Sequence, residues 1–156
     1  MREVLAAILF IWAGLLFGVS FVATPAKFMA QSLPIAQALD IGRWTFHVLA
    51  WIEWGFVAIV AALLGLAWRS PHAHIGLVIS LVAVVIIVLA TETFALRPLL
   101  DARVIRIIAG ESVSPSLWHN GYIALEGLKF LLVLAAGICT MRWPGPNISS
   151  TSLDKY

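Results

Sequence analysis

Four long apolar runs, Val4 to Val22, Val48 to Trp68, Ile75 to Leu96 and Gly121 to Met141, alternate with polar stretches along the chain. A hydrocarbon core about 30 Å thick takes roughly 20 mainly apolar residues of helix, so each run predicts one transmembrane helix. Pro25 follows the first run, Pro71 separates the second from the third, Pro98 closes the third, and Pro144 and Pro146 follow the fourth. Each proline is expected to end a helix, because it lacks an N–H and its ring clashes with the preceding turn. The first run is longer than the roughly 7–15 apolar residues of a secretory signal and is read as a retained helix.

The connections differ in length. Trp68 to Ile75 reads as a tight hairpin, whereas Ala23 to Phe46 and Arg97 to His119 are long and emerge on one side of the bundle. In the second long link Leu99, Leu100, Val104, Ile107 and Ile108 alternate with Asp101, Arg103 and Arg106, the pattern of an amphipathic helix lying at an interface. Phe28, Met29, Leu33, Ile35, Leu39 and Ile41 suggest the same in the first. The expected fold is therefore all-α: an integral membrane four-helix bundle over residues 1–142 with interfacial helices in the long links, then a flexible polar tail over 143–156. Trp44 with His47 and Trp118 with His119 enter the second and fourth helices, and Glu53 and Glu126 follow one or two turns later. That recurrence suggests two helix-link-helix units in parallel repetition.

Composition agrees with this picture. Of 156 residues, 62% are hydrophobic and 12% charged, and the mean hydropathy of +0.99 excludes a soluble enzyme and a disordered chain. A net charge of +2 is too small for a nucleic-acid footprint, which leaves the lipid bilayer and other membrane subunits as expected partners. Lys27, Arg43, Arg97, Arg103 and Arg106 fall on the long-link side and Arg2, Arg69 and Arg142 on the other, so the positive-inside rule leans towards cytoplasmic long links, the short tails and hairpin lean the other way, and the orientation stays open. The lone Cys139 offers no disulfide or zinc spacing. No P-loop, nucleophile elbow or HExxH motif is present, and no residue is assigned a catalytic role.

Candidate chemistry lies in ionisable residues inside the spans, which cost about 2.5–3.5 kcal/mol or more each unless they face the bundle interior. They are Glu53, Glu92, Glu126 and Lys129. With about 1.5 Å of rise per residue, the three glutamates lie at similar depth on three different helices, towards the long-link face. On the fourth helix His119, Tyr122, Glu126 and Lys129 recur at i, i+3, i+7 and i+10, one stripe that must point inward. Glu53, Glu92, Tyr122, Glu126 and Lys129 are accordingly the candidate ligand-binding residues of a polar pocket that binds or helps translocate a small ligand or cation.

Other readings stay open. Lys129 with Glu126, Lys27 or Arg97 with Glu92, and Arg43 with Glu53 would form a neutral ion-pair network in an accessory subunit of a larger membrane complex. His47 and His119 suggest a metal ion held together with the glutamates, or haem b with the two histidines as axial ligands of an electron-transfer subunit. The remaining features are read as structure. Gly14 and Gly18 suggest an internal helix-packing seam, Trp44, Trp68, Trp118 and Trp143 suggest aromatic belts, and His72 and His74 a solvated turn. Asn147-Ile148-Ser149 matches a glycosylation sequon.

The segment Val19-Ser20-Phe21-Val22-Ala23 with Pro25 and Phe28, the run Ala90-Thr91-Glu92 leading to Leu96-Arg97-Pro98, and His119 with Gly121 resemble the transmembrane protein 205 family and its bacterial relatives. The resemblance covers most of the chain thinly. It implies a four-helix membrane protein, one member of the family being associated with export of a platinum drug, and it carries over no catalytic residues. Glu126 and Lys129 are departures from the family pattern.

Overall fold

Pro25 and Pro98 both sit inside helices. In the computed structural model, which describes residues 1–67, 74–114 and 116–142, α1 (Arg2–Leu16) passes through a π-helical turn, Phe17–Ala23, into the short α2 (Thr24–Lys27). After a seven-residue link over 28–34 comes α3 (Ile35–Ala67). Then α4 (His74–Thr91) passes through a second π turn, Glu92–Leu96, into α5 (Arg97–Ile108), and α6 (Leu117–Met141) is the last element among the described residues. Among the described residues there is no strand. Four continuous helical stretches, Arg2–Lys27, Ile35–Ala67, Ile75–Ile108 and Leu117–Met141, are long and apolar enough to cross a membrane.

The expectation that Pro25 and Pro98 end their helices is corrected, and the π turns supply the reason. Thr24 N–H donates to the Val19 carbonyl and Arg97 N–H to the Glu92 carbonyl, each a bond spanning five residues and made by the residue just before the proline. Widening the helix by one residue per turn lets the chain reach the proline ring without the clash an unbroken α-helix would impose. Boundaries shift as a result. The second long helix starts at Ile35 and not near Val48, the third runs on to Ile108, and the links shrink to 28–34 and 109–116. The helical segments expected in the links exist, but as extensions of long helices rather than separate elements. At 33 residues, α3 is about 50 Å long, well beyond the core thickness.

Two helix ends carry local signatures that the proline-based reading did not use. Gly110, with φ +84°, closes α5: its N–H donates to Ile107 O and that of Glu111 to Arg106 O, each at 3.0 Å, the paired bonds of a glycine-terminated helix. Ser116 opens α6 by accepting from Trp118 N–H at 3.2 Å, as an N-cap serine does. The Trp68 to Ala73 part of the hairpin, with His72 and Trp68, the side chain of His74, and the tail 143–156 with Trp143 and its sequon lie outside the described residues.

The helices pack in the ring order α1, α3, α4, α6, with α6 also against α1. The inward stripes are Leu5, Leu9, Trp12 and Leu16; Leu49, Val57, Val60 and Leu64; Val78, Val82, Val85 and Leu89; and Val133 and Ala136. Trp12 stacks on Phe56 with centroids 5.6 Å apart. Gly14 and Gly18 do not form the expected internal seam: a Cβ on either would meet nothing within 4 Å, because the Leu9, Trp12, Leu16 stripe turns them away from the bundle. Close approach of α1 to α6 occurs at Gly137, where a Cβ would come 3.1 Å from the Phe10 ring. Large apolar side chains such as Ile11, Ile59, Leu66, Ile87 and Leu131 face outward, while Glu53, Glu92, Glu126 and Lys129 are inside.

Candidate functional site

Lys129 is the centre of the interior. Its stripe position on α6 leaves it 0% exposed, and an ammonium has three protons to place. Its Nζ donates to Glu53 Oε2 at 3.0 Å, to Glu92 Oε2 at 2.5 Å and to Glu126 Oε1 at 3.1 Å. The carboxylates come from α3, the second π turn and α6, and are 1%, 0% and 2% exposed. Tyr122, one turn before Glu126, donates its hydroxyl to Glu126 Oε1 at 3.0 Å.

Two further residues, which the sequence reading passed over, join from the first helical stretch. Trp12 Nε1 donates to Glu53 Oε1 at 3.3 Å, and Ser20, in the first π turn, donates its hydroxyl to Glu126 Oε2 at 3.0 Å. All four long helices therefore meet at the cluster. A signal for both residues was present: the α1 stripe of Leu5, Leu9, Trp12 and Leu16 continues to Ser20 in steps of three or four, so a buried indole N–H and a hydroxyl had to find acceptors inside the bundle.

Every proton on the lysine is used, but not every acceptor. Glu92 Oε1 is buried without a partner. Three carboxyl groups surround one ammonium, so the fully ionised cluster would carry two net negative charges in a medium that strongly disfavours them. Neutrality would call for two further positive charges, and among the described residues no buried lysine or arginine other than Lys129 is hydrogen-bonded to the cluster.

Of the ion pairs expected from sequence, Lys129 with Glu126 forms at 3.1 Å, and the other two change partners. Arg43 meets Asp40 at 2.8 Å, not Glu53, because both lie one turn apart on the extended α3. Glu92 meets Lys129, and neither Lys27 nor Arg97, since the π turn aims it into the bundle. The two histidines do not share a site. His47 Nε2 lies 2.7 Å from Asp101 Oδ2, joining the extensions α3 and α5, while His119 is exposed at the start of α6. Among the described residues no group of three or more His, Cys, Asp or Glu side chains is placed to hold a metal ion, and Lys129 occupies the centre that a cation would take among the glutamates. In comparisons with known proteins, no family model, curated protein or solved structure matches the chain.

Proposed function

We propose that this chain is a multi-pass integral membrane protein that takes up and releases protons at the Lys129 cluster, and so helps move a small ligand or cation. One observation carries the reading: three buried carboxyl groups from three parts of the fold share a single ammonium. An ion pair serving stability alone needs one of each sign. A surplus of carboxyls enclosed at membrane depth is the arrangement proton relays use, and the unpartnered Glu92 Oε1 is a ready acceptor for an arriving proton. The outward apolar surface and inward charges support membrane placement.

The test is proton flux. Purified protein is reconstituted in vesicles holding a pH-sensitive dye, and a potassium gradient with valinomycin supplies the driving force. Vesicles with the wild-type chain are expected to acidify or alkalinise faster than empty ones, and Glu92→Gln, which keeps the hydrogen bond to Lys129 but cannot exchange a proton, is expected to bring the rate to the empty-vesicle level. Equal rates for wild type, Glu92→Gln and empty vesicles would overturn the proposal and favour an accessory subunit whose interior charges only hold the helices in register.

A further inference from the structure

A groove of about 450 Å³ runs along the outside of the bundle between α3 and the second π turn, lined among others by His47, Trp51, Trp54, Thr93, Phe94 and Arg97. Its walls are aromatic, and two of them are laid open sideways: Trp51 is 79% and Phe94 72% exposed. Its polar groups are out of balance. Arg97 is only 7% exposed, its Nε is buried without a partner, and no carboxylate among the described residues pairs with it. Asp101, which also lines the groove, is engaged at 2.7 Å by His47. Thr93, one helical turn before Arg97, has a buried hydroxyl that is likewise unpartnered.

A guanidinium and a hydroxyl call for an occupant that brings acceptor oxygens and negative charge. We infer that the groove seats an anionic phospholipid of the surrounding bilayer, with its phosphate on Arg97 and Thr93 and an acyl chain along Trp51, Trp54 and Phe94. Placement along the helices fits this. His47, Arg97 and Asp101 stand where the apolar runs give way to the charged extensions, the level of lipid headgroups. Trp51 and Trp54 lie roughly 6 and 10 Å deeper than His47 on α3. A free phosphate would fill the polar end and leave the aromatic walls uncovered, and a neutral lipid would leave Arg97 without a counter-charge. The inference does not rest on the proton-exchange reading of the Lys129 cluster, whose residues do not line the groove.

The experiment counts retained lipid. The full chain is placed in nanodiscs of phosphatidylcholine containing a minor fraction of phosphatidylglycerol, extracted into neutral detergent, and weighed by native mass spectrometry. Wild type is expected to retain phosphatidylglycerol about tenfold over its share, as one charge-assisted pair to arginine implies. Arg97→Gln is expected to bring retention to parity, Arg97→Lys to keep part of the preference, and Trp51→Ala, at an exposed position, to lower retention several-fold. Parity between the two lipids on wild type would overturn the inference. So would retention unchanged by Trp51→Ala, or displacement of the lipid by millimolar inorganic phosphate, which would mark a free-phosphate site. If Arg97→Gln does not fold, the wild-type preference and Trp51→Ala decide the matter.

Discussion

The second π turn serves two sites of opposite character within six residues. Glu92 turns inward to a cluster in which acidic groups outnumber the one cation, every lysine proton is bonded and no part is open to the outside. Thr93 and Arg97 turn towards a lateral groove, where, among the described residues, a buried cation has no ion-pair partner and a hydroxyl no hydrogen-bond partner. The contrast shows that burial alone does not make a charged group structural. Lys129 is built into the bundle by three carboxylates, so removing it disturbs four helices. The Arg97 side chain has no hydrogen bond or ion pair among the described residues, so removing it should disturb mainly what the groove binds.

That difference can be broken by mutation. Lys129→Leu carries the largest expected effect: it leaves three carboxyl groups without their shared cation, and a loss of roughly 3–5 kcal/mol or more should appear as failure to fold or a steep fall in the thermal midpoint in detergent. The double change Glu126→Leu with Lys129→Leu should not restore stability, because Glu53 and Glu92 would remain unpaired. A fully stable double variant would show that the cluster does not depend on its lysine.

Trp12→Phe keeps a ring to stack on Phe56 but deletes the N–H donated to Glu53 and part of the indole's volume at a fully buried position, at a cost of about 1–3 kcal/mol or more measurable by chemical denaturation in mixed micelles. Ser20→Ala should cost about 1 kcal/mol, and a value near zero would mean that the first π turn contributes nothing to holding Glu126. His47→Ala removes a pair whose members are 34% and 21% exposed, and the loss should stay below about 1 kcal/mol and shrink further in high salt. Arg97→Gln should have the smallest effect, a midpoint in lipid-free detergent equal to or above that of wild type, since it removes an unpaired buried charge. A fall as large as that from Lys129→Leu would erase the distinction between the two sites.

Much of the site was legible along the chain. Three glutamates at one depth and the Tyr122, Glu126, Lys129 stripe follow from counting residues at 1.5 Å per step, and the structure brings all five candidate ligand-binding residues, Glu53 and Glu92 with them, into one contact network. His47 and His119 were grouped by analogy of position, and position on separate helices says nothing about shared surroundings. One pairs with Asp101 and the other faces outward. The prolines misled for a related reason. A rule about α-helices ends the helix at Pro98, but a π turn costs little when the residue it turns inward, Glu92, gains a lysine.

By itself the sequence determined that there are four long apolar helices, roughly where they lie, and which stripe of the last one faces inward. These are consequences of backbone hydrogen bonding and of periodicity, and both act within a few residues. Tertiary structure decided that one lysine serves three carboxylates, that Trp12 and Ser20 complete them, that Gly14 and Gly18 face away from the bundle, and that Arg97 is left alone in a groove. Those outcomes depend on how four helices are rotated against one another, which is set by side chains up to 106 positions apart, the separation of Ser20 from Glu126. No local pattern carries that information.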